Sequence, residues 1–400
     1  MTTLFPFGPI HPALKEPVGF IFEVEGERIV KAIPNLGFAH RGIEKLLESK
    51  TWFQGTYIVE HICGICSQVH QSCYLMGVEK LYEKEIPERA AYIRMLSLEL
   101  ERIHSHLLWM GVAFHEAGFD TPFMYTWRDR EKVLDIAEAF FGRRVVWTTS
   151  RPGGVKRDLT DKVIKMIHEF IPYMRKRLKW YEEILTTDKT VLARFRNVGY
   201  LDYHKAVELG AVGPVARASG VKRDIRLEDP YYFYKESPFR IVLEKDGDAL
   251  AKFLVRVKEI DVSLDIIEWV LDNIPKGPLF VNIPPMARPK PGKVISRHEA
   301  PRGELIYYEE SDGSPKPYRV RIRTPTFANV VSIIAMVEGG YIADIPIVVA
   351  SIDPCISCMD RVLIIDRKRN KRKILEKDEL IALSKKEFKR KIKELRGEIA

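Results

Sequence analysis

Residues 18–31, VGFIFEVEGERIVK, alternate apolar and polar side chains on either side of a Glu-Gly turn, and that period of two predicts a β-hairpin. Over 87–118 the period changes. Leu96, Leu100, Ile103, Leu107 and Met110 recur at three- and four-residue intervals, which predicts one long helix lying in the core. Similar spacing predicts helices over 130–141, 158–185, Ala249–Asn273 and 329–338. Proline and glycine crowd residues 275–303, which read as an irregular loop. The stretch GELIYYEE, then SDGS, then PYRVRIR predicts a second hairpin. The expected fold class is therefore α+β, rich in helix, with small peripheral β-sheets.

Composition narrows the reading. The longest apolar runs, such as 107–114 and 345–352, fall well short of the ~20 residues that span a bilayer. The first residues, MTTLFPFGPIHPALKEP, lack the charged and apolar regions of a signal peptide, so a soluble, cytoplasmic protein is expected. The net charge of +9 is not spread evenly. Over 362–400 fourteen Lys and Arg stand against seven Asp and Glu, so the tail carries +7 and residues 1–361 only +2. A nearly neutral body with a basic tail does not have the charge distribution of a nucleic-acid-binding protein. No linker or repeat divides 1–361, which reads as one unit followed by the extension 362–400.

Five cysteines in such a chain point to metal or catalysis rather than to a disulfide framework. Cys63 and Cys66 form one Cys-x-x-Cys pair, Cys355 and Cys358 a second, and Cys73 stands apart as a buried apolar thiol. Two pairs offer four sulfur ligands. Structural zinc fits four cysteines, yet Cys66 and Cys355 lie 289 positions apart, far beyond zinc-ribbon spacing. Soft thiolates suit nickel and iron as well. Spacing alone leaves the metal open.

The flanks are more specific. QGTYIVEHICGICSQVH carries CGxC with a histidine four residues on, and SIDPCISCMDR carries DPCxxC followed by an arginine. Here the chain resembles the large subunit of nickel–iron hydrogenases. GPIHPALKEP, HRGIEKLLE, LERIHSHLLWMG, RPGGVKRDL, ASGVKRDIR, EAPRGEL and FANVVSIIAMVEGGYIADIPIVVASIDP extend the resemblance over 8–361, to the energy-converting, membrane-bound group 4 branch and its relative, the quinone-site subunit of complex I. The complex I subunits lack the cysteine pairs, which this chain retains.

The resemblance implies a hydrogenase large-subunit fold over 1–361 and a Ni–Fe centre with CO and cyanide on iron. Cys63 and Cys355 would be terminal nickel ligands, and Cys66 and Cys358 would bridge nickel and iron. It implies that Cys355 and then Glu16 take protons, that His70 hydrogen-bonds a bridging sulfur, and that Arg302 lines the diatomic ligands. Glu44 matches a ligand of a second metal, magnesium. The histidine that completes that site in the family is replaced by Arg361, which leaves Glu44 the alternative of pairing with an arginine. His40 and Arg41 would support the Glu44 loop. His104 and His106 are two apart, so on a helix they do not face each other and no metal is assigned to them.

Four cysteines are committed and one remains, so a small subunit with an iron–sulfur cluster is required to carry electrons away. Ferredoxin-like and membrane ion-translocating subunits are implied with it, which would place the chain at the inner face of the cell membrane. The tail is either removed after Arg361 by a maturation endopeptidase or retained as a basic helix over 377–395. Two rival functions remain: a hydrogenase-derived sulfane-sulfur reductase, and a non-catalytic coupling subunit with a structural zinc.

Overall fold

The alternation at residues 18–31 folds into the centre of a three-stranded antiparallel sheet, in which β1 (Thr3–Phe7) pairs with β2 (Gly19–Glu25) and β2 with β3 (Arg28–Asn35). Gly26, at φ 61°, makes the turn. Phe7, Phe20, Phe22 and Val24 face inward onto one hydrophobic cluster. In this computed structural model the described residues are 2–359 and, further on, 365–366, 371–372, 382, 385–386, 389–390 and 393. The boundary after Arg361 and the tail helix over 377–395 lie outside the described residues.

Helices follow: α1 (Ile43–Glu48), α2 (Trp52–Val59), α3 (Ser67–Leu81), α4 (Glu88–Glu116) and α5 (Asp120–Phe141). The two-residue strands β4 (Ser150–Arg151) and β5 (Gly154–Val155) precede α6 (Asp161–Thr187), α7 (Lys189–Phe195), α8 (Tyr203–Glu208), α9 (Gly213–Ala218), α10 (Ile225–Glu228) and α11 (Ala249–Asn273). A second antiparallel sheet, ordered β6 (Gly292–Ala300), β7 (Gly303–Ser311), β8 (Arg319–Arg323), then leads to α12 (Pro325–Val337) and α13 (Ile345–Ser351). The chain is thus helix-rich with small antiparallel sheets. No helix among the described residues is long and apolar enough to cross a membrane.

Three expectations need correction. Helix α5 begins ten residues before position 130, with Pro122 in its first turn, where a missing N–H costs no helical bond. Likewise α12 starts at Pro325 rather than 329, a first-turn proline after Thr324. The supposed loop 275–303 ends at Gly292, because β6 pairs with β7 in continuous register from Gly292↔Ser311 to Ala300↔Gly303.

Helix α4 runs through the core: from Ala90 to Phe114 only Leu108 and Val112 are not buried. Its buried polar residues do not stand alone. Glu99 accepts from Arg102, Arg226, Tyr234 and Ser263. Arg217 on α9 reaches Glu259 on α11 and Glu299 on β6, each at 2.8 Å. Ions this deep persist only when paired and hydrogen-bonded, and this lattice locks α4, α9, α11 and β6 behind the cysteine site.

Candidate metal centre

The four cysteines of the two pairs come together. Their sulfurs lie within 4.8 Å of one another and all four residues are buried. Cys63 Sγ is 3.0 Å from Cys66 and 3.2 Å from Cys355, and Cys355 is 2.8 Å from Cys358. Cys66 stands at the N-terminus of α3, where its contacts with Cys355 and Cys63, together with burial, push its thiol well above the usual range. The Cys63 sulfur also accepts from the backbone N–H groups of Ile65 and Cys66. The second pair sits on a single turn, Ile356–Cys358, just beyond α13. Arg41 braces the two loops: one Nη2 donates to the carbonyls of Ile62 and Ser357, both at 2.7 Å.

Glu16 lies on the segment between β1 and β2 and reaches the second cysteine loop. Its Oε2 accepts from the backbone N–H groups of Ile356 and Ser357. Burial raises its carboxyl above the usual 4.5, and the neighbouring Cys355 adds to the rise. Its neighbour Lys15 pairs with Glu116 at 2.8 Å.

Arg302 occupies the two-residue turn between the paired residues Ala300 and Gly303. Its Nε donates to the Asp353 carbonyl and its Nη2 meets the Asp353 carboxylate, both at 2.8 Å. Nη1 reaches Ser105 Oγ at 3.2 Å and Cys66 Sγ at 3.7 Å. The turn can sit there because Gly213 packs beneath it. A Cβ on Gly213 would lie 2.4 Å from the Arg302 carbonyl oxygen, and φ at Gly213 is +64°. Gly213→Ala is expected to cost about 2–3 kcal/mol, from backbone strain and overpacking together. Denaturant unfolding checks this, and an unchanged midpoint would refute the close approach.

His70, on α3, places Nε2 3.6 Å from Cys358 Sγ and Nδ1 2.8 Å from the Tyr307 hydroxyl. Burial pushes its pKa down to about 4. His104 packs on Trp147, with ring centroids 4.8 Å apart, and His106 Nε2 meets Glu259 at 2.9 Å. Neither belongs to the cysteine group. Glu44 takes the ion-pair alternative: Oε2 is 3.1 Å from Arg321, and Oε1 accepts from the Ile322 N–H at 2.8 Å. It too is outside the cysteine group. Cys73 is fully buried against Ser296 and the Leu305 carbonyl, and burial raises its thiol well above the usual 9.0.

Four buried thiols this close cannot all ionise by themselves. Hydrogen bonds from the other cysteines hold Cys63 well below the usual thiol range, while burial and the same neighbours push Cys358 well above it. A cation among the sulfurs removes that conflict, so the donor set fits a thiophilic metal. The set is also lopsided. A cavity of about 150 Å³ is lined by Cys63, Cys355, Glu16 and Arg302, with Leu108 and Val112 on its apolar side; Cys66 and Cys358 do not line it. Closed structural sites lack such an opening, whereas catalytic ones keep it. Sequence reasoning missed Ser105, Asp353 and Tyr307 as members of this neighbourhood. Asp353 stood in plain view beside the second pair, but nothing in the sequence announced the other two.

The family model for nickel-dependent hydrogenases matches residues 41–115, and that for the respiratory-chain NADH dehydrogenase 49 Kd subunit matches 116–291 and 282–361. The membrane-bound hydrogenase subunit alpha of Pyrococcus furiosus is 40% identical over 95% of this chain and 92% of its own length. An NADH-quinone oxidoreductase subunit of Clostridium beijerinckii is 37% identical over 89% of this chain and 96% of its own. Among solved structures, a chain of an archaeal respiratory membrane complex, the membrane-bound sulfane sulfur reductase, superposes with a TM-score of 0.86 at 36% identity, covering 90% of this chain and 98% of that one. On these matches the chain belongs to the membrane-bound, hydrogenase-type large-subunit family of oxidoreductases, which it shares with the complex I subunits.

Proposed function

We propose that this chain is the catalytic large subunit of an energy-converting nickel–iron hydrogenase, interconverting H2 with protons and electrons exchanged with ferredoxin. The observation that carries the reading is the lopsided cluster, four buried cysteines of which only Cys63 and Cys355 face a cavity. Those four would hold nickel, with Cys66 and Cys358 shared with an iron that bears CO and cyanide. Such a centre, when bound, acidifies H2 and accepts its electrons. The chain's own residues do the rest. Glu16, raised in pKa and lining the same cavity, takes the proton at its carboxylate and passes it outward. Arg302 presents guanidinium N–H groups to the inner wall, held by Asp353 and Ser105. The apolar faces of Leu108, Val112 and Val349 limit water in the cavity.

Cys73 is buried about two turns along α3 from Cys66, so this chain has no cysteine set left for an iron–sulfur cluster. Electrons therefore pass to a small subunit with a cluster. The membrane complexes of the relatives support membrane partner subunits; on this reading these would include ferredoxin-like and ion-translocating ones, with the chain at the cytoplasmic face of the cell membrane.

A second reading, sulfane-sulfur reduction, is favoured by the likeness to the sulfane sulfur reductase and by a cavity of about 150 Å³, larger than H2 needs. Metal analysis of the native complex, infrared spectra and paired assays with H2 and polysulfide decide between the two. The expected result is about one nickel and one iron per chain, bands of CO and cyanide, and H2 turnover. Stoichiometric zinc without nickel would overturn both enzymatic readings, and polysulfide turnover without H2 turnover would favour the second.

A further inference from the structure

Tyr307 lies on β7 with its ring across the edge of His70, at 6.0 Å between centroids and 76° between planes. It is fully buried, and the one hydrogen-bond partner of its hydroxyl among the described residues is His70 Nδ1, at 2.8 Å. The other ring nitrogen, Nε2, faces Cys358 Sγ. A neutral imidazole carries a single N–H, so its two nitrogens cannot both donate. A cysteine sulfur that binds metal is a thiolate and can only accept. Nε2 must then carry the hydrogen and Nδ1 must accept one. A phenol buried away from water has a hydrogen to give, and here no other acceptor competes for it.

We propose that Tyr307 is a positioning residue for the metal centre: its hydroxyl donates to His70 Nδ1 and so fixes the tautomer that aims Nε2–H at the Cys358 sulfur. The two neighbouring elements explain how the sequence builds this. Residues 305, 307 and 309 are buried on one face of β7, and α3 packs on that face with Tyr74 against Tyr307, at 6.1 Å between ring centroids. The ring of Tyr307 is thus held from one side by Tyr74 and met at the hydroxyl by His70. Removing the hydroxyl alone leaves the packing in place, leaves Nδ1 buried without a partner, and frees the imidazole to move its hydrogen between the nitrogens. A weaker donor at Cys358 is a weaker hold on the metal, the usual consequence of losing an outer partner of a ligand.

The proposal rests on the reading of the four cysteines as a metal centre, but the identity of the metal does not enter it. The test is a double-mutant cycle on the full chain in its native complex, read as the rate at which the wild-type metal is lost to a chelator. Tyr307→Phe is expected to speed the loss by roughly several-fold, less than the ten- to hundredfold typical of losing a ligand's direct partner. In a His70→Gln background, whose amide N–H can still reach the sulfur but has no tautomer to fix, Tyr307→Phe is expected to change nothing further. Equal effects of Tyr307→Phe in both backgrounds would overturn the proposal and leave a packing role only. Should His70→Gln fail to assemble, nitrogen-15 spectra of histidine-labelled wild type and Tyr307→Phe read the tautomer directly. A single Nε2–H form in both proteins would overturn it, and loss of that form in the variant alone would support it. Nickel missing from the wild type would count against the hydrogenase reading without touching this result.

Discussion

If the centre holds nickel and iron, replacing Cys358 by serine is expected to remove both metals and to abolish turnover. Cys358 sits on the inner side of the cluster, 2.8 Å from Cys355 and beside His70, away from the cavity. A ligand there would be shared between the two metals, so its loss undoes both bonds at once. Serine is a poor substitute, since its hydroxyl is a hard donor that ionises far less readily than a thiol. Cys66→Ser should behave alike, because it lies on the same inner side, against Arg302. The control is Cys73→Ser, which lies on the same helix but makes its contacts with Ser296 and the Leu305 carbonyl. That variant should keep its metal. Elemental analysis of the purified complexes is the measurement, and full nickel and iron in Cys358→Ser would sink the assignment of a bridging role.

Glu16→Gln should lower H/D exchange and H2 turnover by roughly 10²- to 10⁴-fold while nickel and iron stay at wild-type levels. The amide oxygen of glutamine can still accept from the Ile356 and Ser357 N–H groups, so the second cysteine loop keeps its anchor. What the amide cannot do is take up a proton and give it back near neutral pH. Glu16→Ala removes the anchor as well, and it should lose metal in addition to activity. Wild-type exchange in a fully metallated Glu16→Gln complex would assign the proton path to another group.

Much of this architecture is legible along the chain, and the reasons differ by element. Helix α11 can be placed end to end because Asp248 caps its start, accepting from the Ala251 N–H, and Pro275 follows its end. Strand β6 is illegible because its partner lies across a turn of only two residues, 301 and 302, hidden behind a proline-rich approach. That same turn carries Arg302, whose motif is readable while the geometry that aims it is not. The cysteines are legible because a ligand pair needs a fixed local spacing. Ser105 and Tyr307 need none: they reach the centre through the packing of α4 and of β7 against α3, and a serine or tyrosine on a buried face looks the same with or without a metal beside it.

The contact between Cys63 and Cys355 spans 292 positions. No earlier stretch of the chain contains a four-sulfur set, because the first pair alone offers two donors. During synthesis the N-terminal pair emerges long before its mate, and the ordering entropy of so large a loop must be met by the helices and sheets between them. Any ion caught by Cys63 and Cys66 in a half-made chain is held by two sulfurs, with the other coordination positions open to exchange. Metal fidelity is therefore a matter of timing as well as of ligand chemistry, since selective four-point capture starts only when nearly the whole fold is in place.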